Sequence, residues 1–355
     1  DMPLVAHTNL PTFQRLKEEG EEILSPERAR NQDIREMHIG LLNMMPDAAL
    51  EATERQFFRL LGACNQIVQF HVHPFTVNGL KRSPEAQAHI DTYYESFEQI
   101  KRDGLDALII SGANVTGPRL QDEDFWQPLT EVFFWAKDNV TSVLCSCLAT
   151  HAVMQFCYGI ERTRLPAKRW GVYAHKLTDR SHPLVADINT RFDVPHSRFN
   201  EVFQSDMEKH GVKVLAASKE AGVHLAVSAD GFRIVFFQGH PEYDDISLLK
   251  EYKREVLRFY RAEVDEYPPF PEHYFNPTVQ AIFTNYEQHV RAARLAGQRL
   301  EEFPESQVLE FIDNTWRDTA KALINNWLGK IYQLTNQDRR LPFMDGVDPN
   351  NPLGL

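Results

Sequence analysis

The stretch Thr141-Ser142-Val143-Leu144-Cys145-Ser146-Cys147-Leu148-Ala149-Thr150-His151-Ala152 decides how the chain is read. Residues 142–145 form a short apolar run and residues 148–158 have helical spacing, so a strand passes directly into a helix with Cys147 at the bend. A side chain at such a bend stands above the edge of a sheet, where the helix N-terminus favours an anion. The N–H of Leu148 is then placed to hold a developing oxyanion. On local sequence alone a small buried thiol accounts for Cys147 equally well. It is the better account of Cys64, Cys145 and Cys157.

Working outward, the same alternation recurs. Residues 38–43 read as a buried strand, 48–61 as a helix, 66–73 as a strand, 92–103 as a helix, 107–112 as a strand entering a turn at Gly112, and 125–138 as a helix. Strand and helix alternating at this spacing predict an α/β fold with a doubly wound, mostly parallel sheet flanked by helices. Chemistry in such sheets gathers beyond the carboxyl ends of the strands, so Asn43, Gly112 and Cys147 are expected on one edge. Short strands follow at 171–176, 213–218, 224–228 and 233–238, then a long helix at 246–264. Prolines at 268, 269 and 271 forbid helix there. Amphipathic helices are expected at 278–300 and 316–334. Residues 1–35 read as an N-terminal wrapping segment, 36–335 as one α/β domain with a helical insertion near 278–313, and 336–355 as a loose polar tail.

A second stretch, Gly239-His240-Pro241-Glu242-Tyr243-Asp244, follows the apolar run at 234–237. It sets an imidazole and a carboxylate two residues apart, with a proline stiffening the turn. A carboxylate at that spacing can hold the ring in one tautomer. By itself this string is a surface turn with a satisfied histidine. Paired with a thiol at a strand-to-helix bend, it supplies the base and orienting acid of covalent acyl transfer. Arg254 could grip a carboxylate, but a solvated helix charge suffices for it and for Lys168. Ser197, within Pro195-His196-Ser197-Arg198, reads as loop. The histidines, including His71, His73, His151 and His175, fall at no metal-ligand spacing, so no metal is expected.

Composition narrows the setting. The chain has 355 residues, 43% hydrophobic and 25% charged, an ordinary globular balance. Its 38 basic and 50 acidic residues give a formal charge of −12, which argues against nucleic acid or an anionic membrane as partner. Four cysteines without a C-x-x-C pair fit a reducing cytoplasm. No run is apolar enough for a signal peptide or a membrane span.

With these residues in view, the chain resembles the cysteine-dependent homoserine O-acyltransferases of methionine biosynthesis. The matching strings are Asn43-Met44-Met45-Pro46, Gln56–Leu61, Gly104–Ala113, Cys147 with its helix, Tyr158-Gly159-Ile160, Gly171-Val172-Tyr173, Pro195–Arg198, Gly239–Asp244, Asn326-Trp327 and Tyr332–Thr335, spread over residues 30–275 and 314–335. The resemblance implies a class I glutamine amidotransferase-like fold. It implies Cys147 as acyl carrier, His240 as general base and acid, and Glu242 as its orienter. It further implies Arg254, Ser197 and Lys168 at the amino-acid substrate, with an oxyanion hole from Leu148, Gly112 and Ala113. Succinyl-CoA or acetyl-CoA is the implied donor and L-homoserine the acceptor. Acyl-CoA is a co-substrate, no cofactor is expected, and a homodimer is implied.

Three departures from the family pattern stand out. Asp47-Ala48-Ala49-Leu50 replaces lysines that usually follow Met-Pro, removing positive charge at the site's edge. Thr116 falls at the donor-selecting position, where it is small and neutral. It leaves room for a longer chain, and Arg119 nearby could pair with a succinyl carboxylate, so succinyl is favoured over acetyl. The insertion near 278–313 is the third. A serine O-acyltransferase of the same family, a cysteine amidase or glutaminase on the same fold, and a binding protein that kept the pocket are the alternatives. Glutaminase bends read G-x-C-x-G, whereas Cys145 and Ala149 stand at those glycine positions here.

Overall fold

The apolar runs around the bend become the parallel half of a twisted sheet. This computed structural model describes residues 4–21, 23–30, 35–64, 68–115 and 117–355. Its strands are β1 (Glu36–Met44), β2 (Gln69–Phe75), β3 (Ala107–Ala113), β4 (Ser142–Ser146), β5 (Thr163–Leu177), β6 (Arg191–Glu201), β7 (Lys213–Ser218), β8 (Gly222–Val227) and β9 (Ile234–Phe237). The sheet order is β2-β1-β3-β4-β9-β8-β7-β5-β6. The first five run parallel, and the ladder from β9 to β6 is antiparallel. The expected α/β class therefore holds, with an antiparallel extension beyond β9. Part of the strand expected at 66–73 lies outside the described residues.

The helices are α1 (Pro11–Glu18), α2 (Pro26–Arg30), α3 (Asp47–Gly62), α4 (Pro84–Tyr93), α5 (Phe97–Asp103), α6 (Trp126–Asn139), α7 (Leu148–Tyr158), α8 (Gln204–Lys209), α9 (Ser247–Tyr260), α10 (Pro277–Ala296) and α11 (Arg317–Leu334). Two differ from expectation. Of the helix expected at 92–103 only α5 forms, because Ser96 caps a fresh start by accepting from the Gln99 N–H, while residues 92 and 93 end α4. Pro195–Arg198, expected as loop, lies within β6.

Strand residues alternate between two cores. Met37, Ile39 and Leu41 face α1, α3 and α11, while Leu42, Leu108 and Ile110 face α6 and α7. Each such buried Leu or Ile contributes about 1.5–3 kcal/mol of transfer free energy. A third cluster joins Leu249, Tyr252 and Val256 of α9 to Val279, Phe283 and Tyr286 of α10 and to Phe303. The segment read as an insertion thus braces α9. The tail at 336–355 is polar yet held: Arg339 Nε donates to the Asp103 carbonyl at 2.7 Å, the Met344 N–H to the Leu334 carbonyl at 2.9 Å, and Thr141 Oγ1 to the Pro342 carbonyl. Among the described residues no helix is long and apolar enough to cross a membrane.

Candidate active site

Cys147 sits at φ 51° and ψ −107°, between the end of β4 and the first residue of α7. A non-glycine residue at positive φ is costly and persists where the surroundings force it. Here the Cys147 N–H donates to the Phe237 carbonyl of β9 at 2.9 Å, pinning the bend to the neighbouring strand. The thiol is half-buried, whereas Cys64 and Cys145 are buried. Burial pushes Cys64 up to about 12 and Cys157 to about 11, so both stay protonated and inert.

The Leu148 N–H belongs to the first turn of α7 and lacks a helical acceptor. Gly112, near the end of β3, comes beside it: a Cβ built there would lie 3.7 Å from Cys147 Cβ and 3.9 Å from Leu148 N. Gly112 thus lies beside the bend, and Ala113 follows it at the end of β3. Asn43 ends β1 on the same edge, but its amide is occupied, donating to the Leu50 carbonyl and the Tyr94 hydroxyl.

β9 delivers the partner residues from the adjacent strand. His240 is buried, and its Nδ1 lies 2.7 Å from Glu242 Oε1. With Nδ1 committed to the carboxylate, Nε2 remains for the Cys147 side chain, which acts on the ring electrostatically. Burial opposes charge on this ring. The Glu242 carboxylate and then Cys147 outweigh it, and the His240 pKa stands well above the ordinary histidine value. The turn is fixed by the His240 N–H donating to the Pro195 carbonyl at 2.7 Å, and by the Gly239 N–H donating to His224 Nδ1 at 3.1 Å. Tyr243 stacks on the imidazole, with centroids 4.4 Å apart and planes 12° apart.

A second group adjoins the first. Glu251 of α9, which the sequence did not single out, gathers it. Glu251 Oε1 accepts from Ser197 Oγ at 2.6 Å and Trp170 Nε1 at 3.2 Å, and lies 4.0 Å from Lys168 Nζ. Tyr243 also feels the Glu251 carboxylate electrostatically. Lys168 rests over the Trp170 ring at 4.3 Å, and burial holds its ammonium below the ordinary lysine value. Arg254, one helical turn on, is exposed and makes no hydrogen bond or ion pair among the described residues. Ser197, Lys168 and Glu251 therefore form one unit, and Arg254 borders it.

Cations also surround the thiol. Cys147 acts electrostatically on Arg162 and on the buried Arg198, although burial lowers the pKa of both. Arg162 further feels Glu123, whose Oε1 accepts from the Gly117 N–H at 3.2 Å. Arg162 thus senses both Cys147 and Glu123. Thr116 itself lies outside the described residues. Arg119 is exposed, and its nearest carboxylate is Asp122 at 3.9 Å. Near Asp47 a cation arrives from elsewhere in the chain. Arg82 is buried, donates to the Met45 carbonyl at 2.6 Å and pairs with Asp47 at 3.3 Å.

Known proteins resemble the chain along its whole length. The family model described as homoserine O-succinyltransferase matches residues 3–337. Proteins named homoserine O-succinyltransferase from Methylobacter tundripaludum, Methylococcus capsulatus and Allochromatium vinosum are 85%, 68% and 63% identical. Each alignment covers 100% of this chain, and 100%, 100% and 99% of the respective relative. Among solved structures, a glutamine amidotransferase from Methylobacillus flagellatus is 11% identical with a TM-score of 0.44, over 84% of this chain and 95% of its own. That likeness is too distant to bear on the chemistry.

Proposed function

Because the chain belongs to the homoserine O-succinyltransferase family and is an acyltransferase, we propose that it moves a succinyl group from succinyl-CoA to the hydroxyl of L-homoserine through a thioester on Cys147. The observation that carries this reading is Cys147 at a strained bend beside an open helix N-terminus, acting electrostatically on a His240 ring that is hydrogen bonded to Glu242.

The steps balance without a cofactor. The thiol proton passes to His240 Nε2, and the thiolate attacks the thioester carbonyl of the donor. The oxyanion is held by the Leu148 N–H and the end of β3. The carbon–sulfur bond to CoA then breaks, and His240 returns the proton to the departing CoA thiolate. Homoserine next gives its hydroxyl proton to His240, and its oxygen attacks the enzyme thioester. Cys147 leaves as thiolate and recovers the proton. Two successive half-reactions of this kind give ping-pong kinetics. Exchange of one thioester for another is close to neutral, so alignment and oxyanion stabilisation carry most of the burden.

The acceptor's place is the group beside His240. Arg254 offers an unpaired guanidinium for the amino acid's carboxylate. Glu251 acts as a positioning residue, holding Ser197 and Lys168 beside the tyrosine that backs His240. For the donor, Arg162 is the better cation for a succinyl carboxylate, since it is coupled to the thiol and Arg119 is not. Succinyl-CoA and homoserine place the reaction in the cytoplasm.

The test is a panel of succinyl-CoA and acetyl-CoA against homoserine and serine, with released CoA measured by a thiol reagent. Succinyl-CoA with homoserine is expected to turn over fastest. A preference for serine would move the acceptor to the family's other hydroxy amino acid. Hydrolysis unaffected by any acceptor would point to a cysteine hydrolase.

A further inference from the structure

The sheet carries a second concentration of chemistry far from the thiol. His38 of β1 pairs with His71 of β2, and His73 lies two residues on, so all three side chains leave one face of the sheet. The His38 ring stacks on those of His71 and His73, with centroids 4.8 and 5.1 Å away. His7 arrives from the segment that bridges to the outer edge of β2 through Leu4 and Phe70. Its centroid is 4.9 Å from that of His73. Glu95, between α4 and α5, completes the group, with Oε1 2.7 Å from His73 Nδ1.

Two features point to a cation at one spot. First, His7 Nδ1 lies 3.2 Å from the Val5 carbonyl, which can only accept, so the hydrogen sits on Nδ1 and Nε2 presents a lone pair. That Nε2 is buried with no hydrogen-bond partner among the described residues. Second, Glu36, His38, His73 and Glu95 form a row, with contacts of 3.2, 2.8 and 2.7 Å. The end carboxylates only accept, and two neutral rings bring two hydrogens to three contacts. In one of the three arrangements this allows, His38 donating to Glu36 and His73 donating to His38, the contact left without a hydrogen is His73 Nδ1 with Glu95, where a cation would serve both. One ligand-type atom from each of His7, His73 and Glu95 lies within 4.8 Å of the others.

We propose that His7, His73 and Glu95 bind one divalent first-row transition-metal ion of the Zn2+ class, leaving a fourth position to water. Two imidazoles and a carboxylate suit that ion. Bonds of about 2.0–2.1 Å in a tetrahedral site set ligand atoms about 3.4 Å apart, within reach of small side-chain rotations here. Each histidine has an outer partner that fixes its ring, the Val5 carbonyl for His7 and His38 for His73, as metal-bound histidines have. The ligands come from three separate segments, which is why sequence spacing gave no hint of them. The ion would clip the N-terminal segment to β2 and to the α4–α5 link. By strand spacing and rise it stands roughly 20 Å from Cys147, so it is no part of the acyl-transfer chemistry.

The full chain, stripped with a chelator, is titrated with Zn2+ by calorimetry and with Co2+ by visible absorption. One ion per chain is expected, with Co2+ bands of a four-coordinate nitrogen and oxygen site and no thiolate charge transfer. His7→Phe, which keeps a ring against Phe13, and Glu95→Gln should each weaken binding by more than the roughly 10- to 100-fold that loss of an outer partner costs, with turnover near wild type. His273→Ala, which breaks the exposed Glu220, Glu272 and His273 group, should change nothing. Circular dichroism checks folding, and either ligand variant alone carries the readout. No uptake by the wild type at micromolar metal, a proton alone then bridging His73 and Glu95, overturns the assignment. So does uptake unchanged in the folded ligand variants, or uptake lost in His273→Ala or Cys147→Ala.

Discussion

Gly239→Ala tests whether a close approach of backbones aims the catalytic base. A Cβ at position 239 would lie 2.6 Å from Val194 Cγ1, 2.9 Å from the Pro195 carbonyl oxygen and 3.0 Å from His196 Nε2. Carbon contacts normally sit at about 3.5–4.0 Å, so the turn must back away from β6 by roughly 0.5–1 Å. The Pro195 carbonyl is also the acceptor of the His240 N–H, so the displacement falls on the bond that aims the ring. Overpacking of this kind costs about 1–3 kcal/mol of stability. Misplacement of a reacting group by about 1 Å costs on the order of 100-fold in rate. The variant should therefore melt lower and lose about 10- to 100-fold in kcat, with KM for homoserine changed little. Thermal unfolding and steady-state CoA release measure both. A variant with wild-type melting and wild-type kcat would refute the claim that this approach positions His240.

Other expectations follow from the same geometry. Glu251→Gln removes the charge that gathers Ser197 and Lys168, so KM for homoserine should rise roughly 10- to 100-fold, since a hydrogen bond to a charged group is worth about 1.5–3 kcal/mol; a fall in kcat alone would point elsewhere. Arg162→Met should cut kcat/KM for succinyl-CoA by about 10-fold or more while sparing acetyl-CoA, because a carboxylate loses its cation only in the first case; equal losses with both donors would count against this assignment. Glu242→Gln bears on stability and pH. The His240 pKa is raised in the folded chain, so its partners stabilise the fold fully below the unfolded value of 6.5, and that contribution fades as pH rises through the folded value. The variant's deficit should be largest below pH 6.5 and shrink in alkali, as denaturant titrations across pH would report; a deficit that grows with pH contradicts the sign.

Much of the site was legible because its parts are local. A β-apolar run meeting a helical period at Cys147, and an imidazole two residues from a carboxylate after another apolar run, are both written in adjacent residues. What escaped is assembled across the chain. Glu251 is one acid on an amphipathic helix, and its partners come from β5, β6 and the turn after β9. β6 was hidden because buried His196 and Arg198 break its apolar alternation, being satisfied by each other and by backbone carbonyls. The cation at the Asp47 loop was out of sight for a similar reason, since Arg82 reaches it from well down the sequence. The polar tail carries no periodic pattern, yet Arg339, Thr141 and Arg233 over the Phe343 ring hold it to the rest of the chain.

The central claim is that Cys147 carries the acyl group between donor and acceptor. Intact-mass measurement after rapid quenching with succinyl-CoA alone should find one succinyl group per chain. Peptide mapping should place it on Cys147, and homoserine should remove it. Turnover without any adduct, or with an adduct on another residue, would contradict the account.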